Sequence, residues 1–83
     1  MRFYLFDESK CNQCGPMIRG LRKARKLSQE KLAGKCQIAG LNLNQKAISR
    51  TETGKRIIPD FELLFYAEFF DVPITALFES IDI

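Results

Sequence analysis

Histidine and tryptophan are absent from this 83-residue chain. Without histidine, the chain lacks the side chain that most often serves as a general base near neutral pH and as a metal ligand. Three cysteines are too few to suggest a disulfide framework. No pair of carboxylates in an implied polar cleft replaces these groups. The sequence therefore predicts neither an enzyme nor a bound cofactor.

Long apolar runs are also missing. No stretch approaches the roughly 18 consecutive apolar residues that a membrane-spanning helix needs. The apolar opening, residues 1–6, is too short for the core of a signal peptide and is followed by Asp7 and Glu8. The apolar share of 46% still permits a real core. We therefore expect one small cytoplasmic domain with no membrane partner.

Basic residues do not occur in residues 57–83, which contain six acids. Residues 1–56 contain all thirteen Lys and Arg against four acids, so the two parts carry net charges of +9 and −6. This division can reflect solvated surfaces alone. A concentrated positive half is also typical of a protein that binds a polyanion, and we favour that interpretation.

Apolar spacing and capping residues predict an all-α fold. Ser28 and Asn44 are good N-caps, Pro16 suits a first helical turn, and Gly40 and Gly54 are natural stops. The five predicted helices span about 16–26, 28–39, 44–53, 60–70 and 73–79. They form a predicted domain over residues 15–83, and residues 1–14 form an N-terminal region whose aromatic start is expected to be a short strand or arm.

The fourth predicted helix is apolar over a wider arc than one buried face needs. Its expected core stripe is Leu63, Leu64, Ala67 and Phe70. Beside this stripe lie Phe61, Phe65 and Phe69, at four-residue intervals. We expect these three residues to contact a second copy of the chain, together with Phe78, Ile81 and Ile83 near the C-terminus. The alternative is that the N-terminal arm covers this surface within one chain.

Polar side chains begin the third predicted helix. Ile48 is its only large aliphatic residue and must point inward, flanked by Ala47 and Thr51. The outward positions then hold Gln45, Lys46, Ser49 and Arg50. Such side chains match the major groove of DNA, because glutamine can bond adenine edges, arginine and lysine can bond guanine, and serine can bond either. The alternative is that these polar side chains only keep the exposed face of the helix soluble.

Three segments together resemble the Cro/repressor-type, or XRE-like, helix-turn-helix family. They read IRGLRKARKLSQEKLA (18–33), AISRTETGKR (47–56) and LLFYAEFFDVPITALF (63–78). The resemblance covers about three-quarters of the chain. It implies a compact five-helix lambda-repressor-like DNA-binding domain whose third helix reads DNA. The segment between Leu32 and Ile48 is longer than in the short-turn form of the family.

The resemblance also implies roles for individual residues. Four residues match the base-contacting positions: Gln45, Lys46, Ser49 and Arg50. Six match positions that meet the phosphate backbone: Ser28, Gln29, Asn44, Thr53, Lys55 and Arg56. Gln29 is further expected to brace the recognition helix. Arg22 and Glu52 match a structural ion pair between helices one and three, so we expect Glu52 to serve the fold rather than DNA binding.

Two functions follow as hypotheses. The first is a sequence-specific regulator of transcription, a repressor, that binds double-stranded DNA as a homodimer. The alternative is a protein-interaction module, such as an antitoxin or an adaptor, that uses the same fold to bind a protein partner.

Cys11 and Cys14 form a CxxC motif that looks like half of a zinc knuckle. A structural zinc site needs four ligands, and one chain offers only Cys36 besides. A redox switch is the other specific hypothesis, because Cys14 lies near a helix N-terminus among basic residues that should favour the thiolate. We expect ordinary reduced thiols and no metal site, with Cys36 in the core.

Overall fold

A computed structural model describes residues 10–78 of the chain. Its helices are α1 (Gly15–Ala24), α2 (Gln29–Ile38), α3 (Gln45–Glu52) and α4 (Asp60–Phe70). A 3₁₀ helix, Ile74–Phe78, follows α4. No strand occurs within residues 10–78, so this part of the chain is all-helical. None of these helices is long and apolar enough to cross a membrane.

The fifth predicted α-helix is instead this short 3₁₀ helix. The amide of Ala76 donates to the carbonyl of Pro73, three residues back, at 2.9 Å. A five-residue segment directly after a proline closes more readily with such tight turns than with a regular α-helical ladder. The expected aromatic arm, residues 1–6, lies outside the described residues, as do Ile81 and Ile83.

All four α-helices end with the same pair of hydrogen bonds. One amide donates to the carbonyl three residues back, and the next amide donates to the carbonyl five residues back. This ending needs one residue with positive φ. Gly40 (93°) and Gly54 (81°) fill that position after α2 and α3, whereas Lys26 (59°) and Asp71 (58°) fill it after α1 and α4. Because Lys26 takes this conformation, α1 ends at Ala24 rather than at residue 26 as expected.

The core lies where all four helices and the 3₁₀ helix meet. α3 packs against both α1 and α2, and the 3₁₀ helix packs against α4 and α1. The largest fully buried side chains come from every element: Ile18, Leu32, Cys36, Ile48, Thr51, Tyr66, Phe70 and Leu77. α3 is therefore anchored on one face by Ile48 and Thr51.

The buried face of α4 differs from the predicted one. Leu64, expected in the core, is 55% exposed, whereas Glu62 and Tyr66 are buried. Ala67 and Phe70 are buried as expected, and Leu63 packs against the core from a partly buried position. The buried face therefore includes Glu62, whose carboxylate pairs with Arg56, as described below.

The predicted aromatic contact surface divides into two parts. Phe61 and Phe78 are exposed, at 58% and 41%. Phe65 and Phe69 stack on each other with ring centroids 5.4 Å apart and are packed against the core from half-buried positions. Among residues 10–78, Phe61 and Leu64 leave an apolar area open on the outer side of α4.

Gly15 allows α1 to approach the end of α3 closely. A Cβ atom at this position would press into the Thr51 carbonyl oxygen and would lie 2.8 Å from that of Glu52. Both obstacles are backbone atoms of α3, so neither can move aside as a flexible side chain would. The start of α1 therefore depends on glycine here.

We expect Gly15→Ala to destabilise the fold by about 1–3 kcal/mol, because the added methyl group would push α1 away from α3. Gly20→Ala is the matched control in the same helix, since a Cβ there would meet nothing within 4 Å. The control should stabilise the protein by about 0.5–1 kcal/mol. Urea unfolding of the three proteins measures both effects, and equal stabilities would contradict the close approach.

Candidate nucleic-acid interface

One face of α3 presents polar side chains to solvent. Asn44 caps the helix, its Oδ1 atom accepting a 2.9 Å hydrogen bond from the Ala47 amide. Gln45 and Lys46 are exposed and have no hydrogen-bond partner within residues 10–78. Arg50 is exposed as well, and one of its Nη atoms donates to the Lys55 carbonyl at 3.1 Å. Ser49 is half-buried beside them.

The opposite end of α3 is tied to the rest of the fold through Glu52. Arg22 of α1 donates to both carboxylate oxygens, from Nε at 2.6 Å and from Nη2 at 3.0 Å. Gln29 of α2 donates to the same carboxylate at 3.2 Å. The remaining Nη atom of Arg22 donates to the carbonyl of Leu27, in the turn between α1 and α2, at 2.7 Å.

This cluster is nearly shielded from water, with 1% of the Glu52 side chain and 9% of the Arg22 side chain exposed. A paired arginine and carboxylate with two parallel hydrogen bonds have a fixed relative orientation as well as favourable energy. The Arg22–Glu52 pair, expected from the family resemblance, therefore sets the position of α3 against α1. The amide of Gln29 braces α3 through the same carboxylate and keeps its second N–H hydrogen for another acceptor.

Asn12 makes a second set of bonds to the end of α3. Its Nδ2 atom donates to the Thr51 carbonyl at 3.1 Å and to the Arg56 carbonyl at 2.8 Å. Its Oδ1 atom accepts from the first amide of α1, that of Gly15, at 2.8 Å. Sequence reasoning missed this brace. An asparagine three residues before a helix start was the available signal, since such residues often bond the following backbone.

The candidate phosphate-contacting residues differ in whether their side-chain hydrogen-bond donors are already used within the protein. Ser28 accepts from the Lys31 amide at 3.0 Å and keeps its own hydroxyl hydrogen available. The Thr53 hydroxyl donates to the Ser49 carbonyl at 2.9 Å, so its hydrogen is already used. Lys55 is exposed, and no hydrogen bond of its ammonium group is found within residues 10–78.

Arg56, expected to meet phosphate, is instead engaged inside the protein. Its two Nη atoms donate to the two carboxylate oxygens of Glu62 at 2.7 and 3.1 Å, and one also donates to the Thr51 hydroxyl at 2.9 Å. The hydrogen bond to Glu62 raises the pKa of Arg56. The pair joins the end of α3 to α4, and sequence pattern alone does not indicate it, because an acid in a first helical turn is usually exposed.

Residues 15–83 match a family model described as a helix-turn-helix domain. The match covers more than half of the chain. The chain belongs to this XRE-like helix-turn-helix family. No curated protein and no solved structure shows significant similarity to it.

Family membership indicates DNA binding, with a role in transcription regulation, and members of this family are typically non-enzymatic. In the helix-turn-helix domain, α2 and α3 form the motif and α3 is its second helix. The ties at Glu52 and Asn12 both hold the C-terminal end of α3, whereas the side chains of Gln45, Lys46 and Arg50 are exposed.

Of the three cysteines, Cys36 lies in the core as expected, and Cys14 differs from what its basic neighbours suggested. Cys14 is buried, and burial raises its pKa to about 11, so the expected preference for thiolate is wrong. Cys36 lies in the core, where burial and the neighbouring charge of Glu62 raise its pKa to about 11. Cys11 is half-buried. Within residues 10–78, no three potential ligands lie close enough together to hold a metal ion.

Tyr66 lies beside Cys36 and Glu62 in the core, and its hydroxyl has no hydrogen bond of normal geometry within the described residues. Burial is the main cause that raises its pKa. This hydroxyl therefore stays neutral and serves packing rather than acid–base chemistry.

We expect Glu52→Ala to lower the free energy of unfolding by about 3–5 kcal/mol, because it leaves the buried guanidinium of Arg22 without its partner. Glu30→Ala is the matched control. It removes an exposed acid from the first turn of α2 and should cost less than about 1 kcal/mol. If chemical unfolding gave the two variants similar stabilities, Glu52 would not hold α3 in place.

The thiols give a second expectation. With pKa values of about 11, Cys14 and Cys36 are thiolates in roughly one molecule in a thousand at pH 8. A thiol-specific reagent at pH 8 should therefore modify Cys11 first, and the other two should react only as fast as the protein unfolds. Mass spectrometry of the partly modified protein identifies the sites. Rapid modification of Cys14 in the folded protein would contradict the burial described here.

Proposed function

We propose that this chain is a sequence-specific regulator of transcription that inserts α3 into the major groove of double-stranded DNA. The observation that supports the proposal most directly is the contrast between the two faces of α3. Gln45, Lys46 and Arg50 are exposed, whereas Ile48 and Glu52 are buried and anchored. A short helix anchored along one face and polar along the other suits insertion into a groove.

The proposed base contacts use the chemistry of each side chain. Gln45 would bond an adenine edge through its amide, and Arg50 would bond guanine through two N–H groups. Lys46 would donate to guanine acceptors, and Ser49 would donate or accept at a nearby base. Arg50 first gives up its bond to the Lys55 carbonyl, and the flexible side chain makes this exchange easy.

The proposed phosphate contacts surround this helix. The free hydroxyl hydrogen of Ser28 and the second amide hydrogen of Gln29 would bond one strand of the backbone. Asn44, Thr53 and Lys55 would meet phosphates at the two ends of α3. Arg56 is omitted from this set, since releasing it would leave the buried Glu62 without its partner.

A homodimer follows from the energy that specific binding needs. One good bidentate base contact discriminates by about 1–3 kcal/mol, and specific recognition needs about 4–10 kcal/mol over non-specific binding. Two copies of α3 on adjacent half-sites reach this range, and one copy barely does. The exposed side chains of Phe61 and Phe78 support a contact between subunits on the outer side of α4. Bound across a promoter, such a dimer would act as a repressor by occlusion.

The same apolar area favours a second candidate function. Phe61 and Leu64 are each more than half exposed, and exposed apolar patches often mark protein–protein contacts. An antitoxin or adaptor would use this surface to bind a different protein. Stoichiometric copurification of a partner, with weak and salt-insensitive DNA binding, would favour this second function over the first.

Selection of duplexes from a random library by the purified protein tests the proposal. We expect one enriched pseudopalindromic motif, with half-sites about one helical turn apart. Arg50→Ala should relax the preference at one base position per half-site, a loss of about 1–3 kcal/mol there. Lys55→Ala is the matched control, because losing a phosphate contact should weaken binding to all duplexes alike. Failure to enrich any motif would refute sequence-specific binding.

A further inference from the structure

An open groove lies between α1 and the C-terminal end of α3. Its lining comes from both helices: Pro16, Arg19, Gly20, Lys23, Glu52 and Thr53. The groove is open at Gly20, where a Cβ atom would meet nothing within 4 Å. The family resemblance assigned no role to the α1 residues of this groove.

The two basic residues of the groove are not used by the fold. The side chains of Arg19 and Lys23 are exposed, lie one helical turn apart on α1, and make no hydrogen bond or ion pair within residues 10–78. Like charges at this spacing repel each other. The acid nearest to them in the groove, Glu52, is already paired with Arg22 and bonded by Gln29. The groove therefore keeps a net positive charge that no described residue neutralises.

The groove also continues the proposed DNA-binding surface. Thr53, one of its lining residues, directly follows α3 and belongs to the proposed phosphate contacts. Its hydroxyl hydrogen is used by the Ser49 carbonyl, so Thr53 alone offers little to an anion. Arg19 and Lys23 lie beside it and supply the donors that it lacks.

We propose that this groove receives the sugar–phosphate backbone of the bound duplex, with Arg19 and Lys23 contacting phosphate oxygens where a strand passes the end of α3. The inference rests on the proposed function and extends its contact surface to α1. Such contacts add affinity and fix the orientation of the protein without reading sequence. A free phosphate ion is a poor occupant, because the groove is open and its cations are solvated.

The salt dependence of duplex binding tests this inference. Each neutralised phosphate contributes about 0.9 to the slope of log affinity against log salt concentration, so R19A/K23A should reduce that slope by about 1.8 per subunit, or about 3.6 for the proposed dimer. The reduction should be the same for a selected duplex and for a random one. K31A/K35A is the matched control, since it removes two exposed lysines at the same spacing from α2. That control should leave the slope nearly unchanged.

A second measurement distinguishes direct phosphate contacts by Arg19 and Lys23 from a nonspecific effect of the protein's net charge. In duplexes with single uncharged methylphosphonate linkages, the wild-type protein should lose affinity at particular positions, and R19A/K23A should be insensitive at those that Arg19 and Lys23 contact. Equal slope changes in R19A/K23A and K31A/K35A, or an unchanged slope in both, would overturn the inference while leaving the proposed function intact. Failure of the wild-type protein to bind any duplex would instead refute the proposed function itself. Unfolding curves of both double variants confirm that each is folded.

Discussion

The carboxylate of Glu52 lies at the C-terminal end of α3 and is bonded by Arg22 of α1 and Gln29 of α2. Since Arg22 also bonds the turn at Leu27, one buried acid links three helices and the turn between two of them. The position of α3 depends on this cluster. Every proposed base contact in turn depends on α3, because the exposed face of the helix can only be presented in a fixed orientation if the opposite face is held.

The helix starts and stops were predictable from the sequence, because they depend on capping residues and glycines close to each helix end. Ser28 and Asn44 accept hydrogen bonds from backbone amides as N-caps do, and Gly40 and Gly54 occupy the positive-φ positions that end α2 and α3. Ile48 is fully buried because α3 has no other large aliphatic residue. The residues of the candidate site were predicted from the family resemblance and from the inward position of Ile48, which determines which positions of α3 are exposed.

Contacts between distant parts of the chain were not predictable in the same way. Glu62 is on the buried face of α4 and pairs with Arg56, whereas Leu64 is exposed, and helical spacing alone carries no information about such a partner. Asn12 bonds carbonyl oxygens about 40 residues away, where the polar sequence suggested only a turn. The raised pKa of Cys14 follows from burial, whereas the sequence showed only its basic neighbours.

The most direct measurement of the central claim is a nuclear magnetic resonance titration of the ¹⁵N-labelled protein with its selected duplex. If the exposed face of α3 enters the major groove, the largest amide shifts should fall on residues 45–50, with smaller shifts at residues 28 and 29. The core amides should change little, because α3 is already held in place. Shifts confined to the outer side of α4, with residues 45–50 unaffected, would contradict the account.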